Sequence, residues 1–120
     1  MTGSIFERCG GFVAVRKIIS SFYDKVLDSP RLGRHFVGVD MRALVDHQTK
    51  FITYVMGGPA TFSDAQIQRA HTQRGISRAE FREMIELLAA TLEEAELEPA
   101  DIEHIRHEVA RREHLVVADG

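Results

Sequence analysis

The strongest pattern in this sequence is an apolar repeat with the period of an α-helix. Across residues 12–27, apolar side chains recur at i, i+3, i+4 and i+7, which places them on one face of a helix. Residues 41–56 repeat the pattern after Asp40, which is an N-cap candidate. No segment shows the alternation of apolar and polar residues that is typical of a strand, so the sequence predicts an all-α fold.

Capping signals predict two further helices. Ser4 and Glu7 have the spacing of a capping box, which predicts a short helix that ends at the glycine pair after it. Ser77 and Glu80 have the same spacing and predict a long helix over residues 78–95.

Proline and glycine residues punctuate the rest of the chain. Residues 31–39 carry two glycines and are expected to form a helical turn and a loop. Ser63 is an N-cap candidate for a short helix that ends at Gly75. Pro99 suits the first turn of a last helix, which we expect to run unbroken over residues 99–117.

Length and composition indicate one domain over residues 1–120. Hydrophobic residues make up 44% of the chain and charged residues 28%, which is ordinary for a globular protein. The net charge of −3, without a basic block, argues against a nucleic acid or an anionic membrane as a partner. The single Cys9 can form no internal disulfide, and no apolar run has the length of a signal peptide core or a membrane span. We therefore expect a cytoplasmic protein.

Three polar residues fall where packing favours apolar ones. Tyr23 and Gln48 lie on the apolar faces of the two long helices, and His71 shares a face with Ile67 and Ala70. Each alone is explained by a hydrogen bond inside the core, since burying an unpaired polar group costs about 1–3 kcal/mol. Together they have the parts of a haem site, which needs an axial nitrogen, an apolar slot and a few distal donors.

Short blocks of sequence follow one another in an order and spacing that are typical of one protein family. They are residues 22–27, 35–41, 47–51, 57–59, 70–71 and 74–76, followed by Phe81. On these blocks the chain resembles a truncated haemoglobin of group I, a two-over-two bacterial globin, over nearly all of its 120 residues. The resemblance implies a truncated globin fold, a two-over-two helical sandwich around a haem b.

The resemblance assigns roles to four residues around the iron. His71 matches the proximal ligand, and Phe36 matches the ring that stacks on the porphyrin face. Tyr23 matches the distal phenol that hydrogen-bonds bound oxygen, and Gln48 the distal amide beside it. Two donors in a low-dielectric pocket imply high oxygen affinity with slow release.

Further positions match the walls of the haem pocket. They are Leu44, Phe51, Phe62 and Ile76. Ile52 departs from relatives that carry a phenylalanine there. In those relatives the ring is thought to gate an apolar tunnel for gases, so the resemblance leaves the gating of a tunnel open in this chain.

Two histidines have alternative roles in the cyanobacterial relatives. His47 matches a histidine that binds the iron in some of them, whereas other relatives hold a basic residue there near a haem propionate. His114 matches a histidine that bonds covalently to a haem vinyl group. On one continuous helix, however, His114 would lie off the apolar stripe, so a solvated histidine remains the alternative.

The other histidines are expected at the surface. His35 precedes Phe36 at a corner that we expect to be exposed to solvent. His104 and His107 are spaced i, i+3 on the last helix and are expected to form a surface pair without a metal.

The binding of diatomic gases is the function that the resemblance implies. The ligands would be O2, NO and CO, and nitric oxide dioxygenation would need a reductase that this chain does not contain. One alternative is an electron-transfer haem protein whose iron is bound by both His71 and His47. Another is a haem-free helical interaction module. The protein is expected to be a monomer or a weak dimer.

Overall fold

A computed structural model describes residues 3–60 and 75–117, and in these two ranges it contains helices and no strand. The first range holds α1 (Ile5–Cys9), α2 (Gly11–Asp28), α3 (Pro30–Gly33), a 3₁₀ turn (Arg34–Phe36) and α4 (Met41–Val55). The second range holds α5 (Arg78–Glu94), α6 (Pro99–Ala110) and α7 (Glu113–Val116). The all-α prediction is confirmed, while the short helix expected after Ser63 lies outside the described residues. Within them, no helix combines the length and apolarity needed to cross a membrane.

The four long helices form two packed pairs, one laid over the other. α2 packs on α4 and α5 packs on α6, while α2 also contacts α5 and α4 contacts α6. This is the two-over-two arrangement that the resemblance implied. The residues predicted for the inner faces of α2 and α4 are all buried: Val15, Ile18, Ile19, Phe22, Tyr23, Val26, Leu44, Gln48, Phe51, Ile52 and Val55.

Both capping boxes form as predicted. The Glu7 amide donates to Ser4 Oγ at 3.2 Å, and the Ser4 amide donates back to Glu7 Oε1 at 3.1 Å. At the start of α5, the same pair of bonds joins Ser77 and Glu80 at 3.1 and 3.0 Å. These side chains satisfy amide groups that have no partner within a helix, so they define where α1 and α5 begin.

The end of α4 depends on two glycines. Gly57 has a φ of 82°, a left-handed conformation that glycine adopts without strain. At Gly58 a Cβ would lie 2.6 Å from Thr53 Cγ2 and 2.7 Å from the Phe6 ring. The absence of a side chain at Gly58 therefore allows α1 to close over the end of α4.

The prediction of one unbroken last helix is wrong, because α6 ends at Ala110 and α7 begins only at Glu113. In a continuous helix the Arg112 amide would bond the Glu108 carbonyl, four residues earlier. Here the Arg112 amide instead donates to the Val109 carbonyl at 3.1 Å. The Glu108 carbonyl accepts from Arg112 Nη1 at 2.5 Å, so a side chain has replaced the backbone donor.

Candidate functional site

A cavity lies between the two helix pairs, and it spans about 650 Å³ of space free of protein atoms when the open solvent at its mouth is counted. Its walls come from α2, α4, the segment before α5, α5 itself, the end of α6 and the α6–α7 turn. The described residues that line it are Ile19, Phe22, Tyr23, Gln48, Phe51, Ile52, Ile76, Phe81, Met84, Ile85, Leu88, Val109 and Arg112. Most of these side chains are apolar, and the exceptions are Tyr23, Gln48 and Arg112.

Tyr23 is positioned by aromatic contacts on two sides. Its ring makes an edge-to-face contact with Phe22, with centroids 4.8 Å apart, and another with Phe36 at 5.8 Å. Only 5% of Tyr23 is exposed. Edge-to-face pairs restrict ring orientation, so the phenol is held at the cavity wall by packing.

Gln48 reaches the cavity from α4, whereas Tyr23 reaches it from α2. Phe51 and Ile52, about one turn further along α4, line the same cavity. Leu44, one turn before Gln48, is buried in the core but is not among the described lining residues. The spacing of α4 thus brings one amide and two apolar side chains to one wall.

Several residues predicted for the haem site do not line the described part of the cavity. Phe36 is buried and contacts the cavity residue Tyr23 through its ring. His47 is half-buried on α4, and His114 is exposed on α7. His71 and Phe62 lie outside the described residues, so their predicted roles stay predictions.

Arg112 is a cavity residue that the sequence analysis missed. It is 4% exposed, and its guanidinium carbon lies 5.7 Å from the centre of the Phe51 ring. Sequence patterns favour a solvated arginine near a chain end, and they treat residues 99–117 as one helix. The available signal was Glu108, four residues earlier, which can pair with Arg112 across one helical turn.

The expectation of a solvated His35 is also wrong. The His35 side chain is 6% exposed, and its Nε2 lies 3.0 Å from Oε1 of Glu80, which is 4% exposed. Arg34 Nη2 donates to the other carboxylate oxygen of Glu80 at 2.8 Å. The Glu80 carboxylate, in the first turn of α5, thus holds the 3₁₀ turn against this helix and keeps the His35 imidazole buried.

Several interactions determine the pKa of Glu80. Burial of the carboxyl raises the pKa, but hydrogen bonds from the Ser77 backbone and from His35 outweigh burial and lower it to about 2. Glu80 is therefore ionised at neutral pH. The carboxylate ties the turn that carries Phe36 to the start of α5.

His104 and His107 are exposed on α6, as expected. Among the described residues, no group of three histidine, cysteine or acidic side chains is arranged to hold a metal ion. The exposure of the two imidazoles agrees with the expected surface position.

The cavity fits a haem in the chemistry of its walls. Ligand pockets in proteins combine apolar walls with a few placed polar groups. The cavity has this character, since one phenol, one amide and one guanidinium interrupt an apolar lining. Such donors suit a small ligand at the iron or a carboxylate of the porphyrin.

Comparison with known proteins agrees with this fold. The family model for bacterial-like globins matches residues 4–118. A group 1 truncated haemoglobin of Tetrahymena pyriformis is 35% identical over 91 residues, which cover 76% of this chain and 75% of that protein. The Synechocystis group 1 truncated haemoglobin is 33% identical over 95 residues, covering 76% and 77% of the two chains.

Solved structures show the same architecture. The ferric truncated haemoglobin of Tetrahymena pyriformis matches with a TM-score of 0.85 and 30% identity, over 96% of this chain and 98% of that one. The Synechococcus two-over-two haemoglobin, in the cyanomet state with covalently attached haem, matches with a TM-score of 0.87 at the same identity and coverage.

Fold, cavity and comparisons define a globin, a haem protein that binds diatomic gases. The chain belongs to the group 1 truncated haemoglobins of the bacterial-like globin family.

Proposed function

We propose that this protein binds oxygen at a haem held by His71, with Tyr23 and Gln48 as distal hydrogen-bond donors. The observation that supports this most directly is that Tyr23 from α2 and Gln48 from α4 line one apolar cavity. Residues 25 positions apart in sequence on different helices converge there. Both are more than nine-tenths buried, so the two polar groups lie in an apolar environment.

When bound, the haem supplies an iron atom that takes a diatomic ligand. The protein side chains then decide how firmly that ligand is held. Tyr23 and Gln48 donate hydrogen bonds from fixed positions, and the apolar lining strengthens these bonds by excluding water. High oxygen affinity with slow release follows from this arrangement.

The chain offers a matched pair of variants, since Tyr23 and Tyr54 are its two tyrosines. Tyr23→Phe should speed oxygen release from the ferrous protein roughly tenfold to a hundredfold, because it removes a hydrogen bond to a partly charged ligand. Tyr54→Phe removes a phenol from a half-buried position on α4 and should leave the rate within about twofold. Stopped-flow displacement of oxygen by carbon monoxide measures both. Equal rates in the two variants would reject the distal role of Tyr23.

Gln48→Leu tests the second donor separately. The substitution keeps the approximate volume of the side chain and removes the amide, so oxygen release should again become faster. The double variant with Tyr23→Phe should change the rate by less than the product of the single effects, because both donors act on one ligand.

We also propose nitric oxide dioxygenation as an activity of the same site. Oxygen and nitric oxide combine to nitrate, and the ferrous iron is left ferric, so an external reductase must return one electron in each cycle. Mixing the oxygen-equilibrated ferrous protein with nitric oxide should yield one nitrate for each haem oxidised. If nitrate does not form in that ratio, the activity is not dioxygenation and gas binding alone remains.

A further inference from the structure

A positive charge lies at the cavity wall. Arg112 carries its charge at any physiological pH, yet it is only 4% exposed. It lines the same cavity as Gln48 and Phe51. An arginine is seldom buried this deeply unless other groups pair with its charge.

The partners of Arg112 leave one nitrogen of its guanidinium without a hydrogen bond among the described residues. Nη1 donates to the Glu108 carbonyl at 2.5 Å and to Glu108 Oε1 at 3.1 Å. The Phe51 and Tyr54 rings lie 5.7 and 5.9 Å from the guanidinium carbon, within the range of cation–π contact. Nε is buried and has no hydrogen-bond partner among the described residues.

The local charges do not balance. Glu108 is shared by two arginines, since Arg111 Nε also lies 3.1 Å from its Oε1. Burial raises the pKa of Glu108, but the hydrogen bonds from Arg112 and Arg111 outweigh burial and lower it, so the carboxylate is ionised. One negative charge therefore faces two positive ones. Arg111 is exposed to water and Arg112 is not, so the unbalanced charge matters most at the cavity.

We infer that Arg112 is an anion-binding residue of the cavity, and that its ligand is a singly charged anion with an oxygen or nitrogen lone pair to offer Nε. Two sources have this chemistry: a small inorganic anion such as azide or nitrite, and a carboxylate of the haem itself. The inference rests on the proposed haem cavity. In the case of an inorganic anion, it adds a preference for anions over neutral ligands that Tyr23 and Gln48 do not by themselves create.

The test uses the haem-loaded protein and two probes of different charge. Azide is titrated into the ferric protein and carbon monoxide into the ferrous protein, both followed by the haem absorption band. Arg112→Met should weaken azide binding roughly tenfold to a hundredfold, the effect of losing a charge-assisted hydrogen bond, and leave carbon monoxide binding within about twofold. Arg112→Lys keeps the charge and should recover part of the azide affinity.

Arg111→Met is the matched control. Arg111 also pairs with Glu108, so this variant removes a positive charge from the same carboxylate, but at an exposed position. It should change azide affinity by less than about twofold, because water screens an exposed charge. An equal loss in both variants would show that only the overall charge matters, and it would overturn the inference.

A second measurement separates the two sources of the anion. If the haem carboxylate is the partner, Arg112→Met should speed haem transfer to apomyoglobin while azide affinity is retained. That acceleration should disappear when the protein is loaded with haem dimethyl ester, which has no free carboxylate. If azide affinity, haem retention and carbon monoxide binding all stay at the parent values, Arg112 binds no anion. The absorption spectrum of the parent protein is recorded first, because it shows whether the protein takes up haem. A parent that takes up no haem would refute the proposed function.

Discussion

Nε2 of His35 lies 3.0 Å from Oε1 of Glu80, and the two side chains are 6% and 4% exposed. This contact joins the 3₁₀ turn before α4 to the first turn of α5, across 45 residues of sequence. The next residue of the turn, Phe36, packs its ring on Tyr23. The buried Glu80 carboxylate therefore supports Tyr23, the residue proposed to hold bound oxygen, through the turn that carries His35 and Phe36.

Acid should remove the stability that Glu80 contributes. The pKa of Glu80 in the folded protein is lowered to about 2 from an ordinary 4.5, so the folded state favours the ionised form. The contribution is complete above the ordinary pKa and is lost as the pH falls from 4.5 toward 2. Glu80→Gln should lower the free energy of unfolding at neutral pH by roughly 1–3 kcal/mol, the cost of an impaired buried hydrogen-bond network. It should also flatten the pH dependence in the acid range, measured by urea unfolding.

Glu86→Gln is the control for this prediction. The pKa of Glu86 is also lowered, through its hydrogen bond with Arg106, but the pair lies at the protein surface. An exposed ion pair contributes little to stability, so the acid-range slope should match that of the parent. If Glu80→Gln and Glu86→Gln change the free energy of unfolding and its pH dependence equally, the buried contact with His35 stabilises the fold no more than an exposed ion pair does.

His71→Ala should abolish stable haem uptake, because it removes the predicted axial nitrogen. Added imidazole should restore part of the haem binding by entering the space left by the side chain. The exposed His104→Ala provides the comparison and should bind haem like the parent. A normal ferrous-carbon monoxide spectrum and normal haem affinity in His71→Ala would show that another residue holds the iron.

His47 is predicted to bind the iron when no external ligand is present. The absorption spectrum should then show low-spin, six-coordinate iron in both oxidation states, and gas binding should wait for His47 to leave. Because His47 is half-buried and is not among the described cavity-lining residues, its side chain must turn toward the cavity to do so. His47→Ala should convert the spectrum to high spin. A parent spectrum that is already high-spin, and unchanged in this variant, would favour the propionate role.

His114 is predicted to bond covalently to a haem vinyl group after reduction. The imidazole is exposed on α7, and the turn after Ala110 separates its orientation from that of α6. Reduction of the haem-loaded protein with dithionite, followed by acid denaturation and mass spectrometry, should give a polypeptide heavier by one haem. His114→Ala should lose this added mass and His107→Ala should keep it. Haem that extracts freely into organic solvent from the reduced and reoxidised parent would exclude the bond.

Local sequence patterns were sufficient to predict the helices and their inner faces. Capping boxes at Ser4 and Ser77, the N-cap at Asp40 and the apolar repeat act over one or two turns, where side chains meet their own backbone. The same local periodicity placed Tyr23 and Gln48 on buried faces, which is why both could be assigned to a pocket before the fold was known.

Contacts between distant side chains depend on how the helices pack, and local patterns did not predict them. His35 follows no apolar period, and its burial depends on a carboxylate that α5 brings to it from position 80. Arg112 reaches the cavity because its guanidinium takes the Glu108 carbonyl from the helix backbone, which ends α6 and turns the side chain inward. Neither helix propensity nor apolar periodicity predicts such contacts. They arise when packing places charged groups where water cannot solvate them, because each group is then stabilised only by the protein groups that packing brings near it.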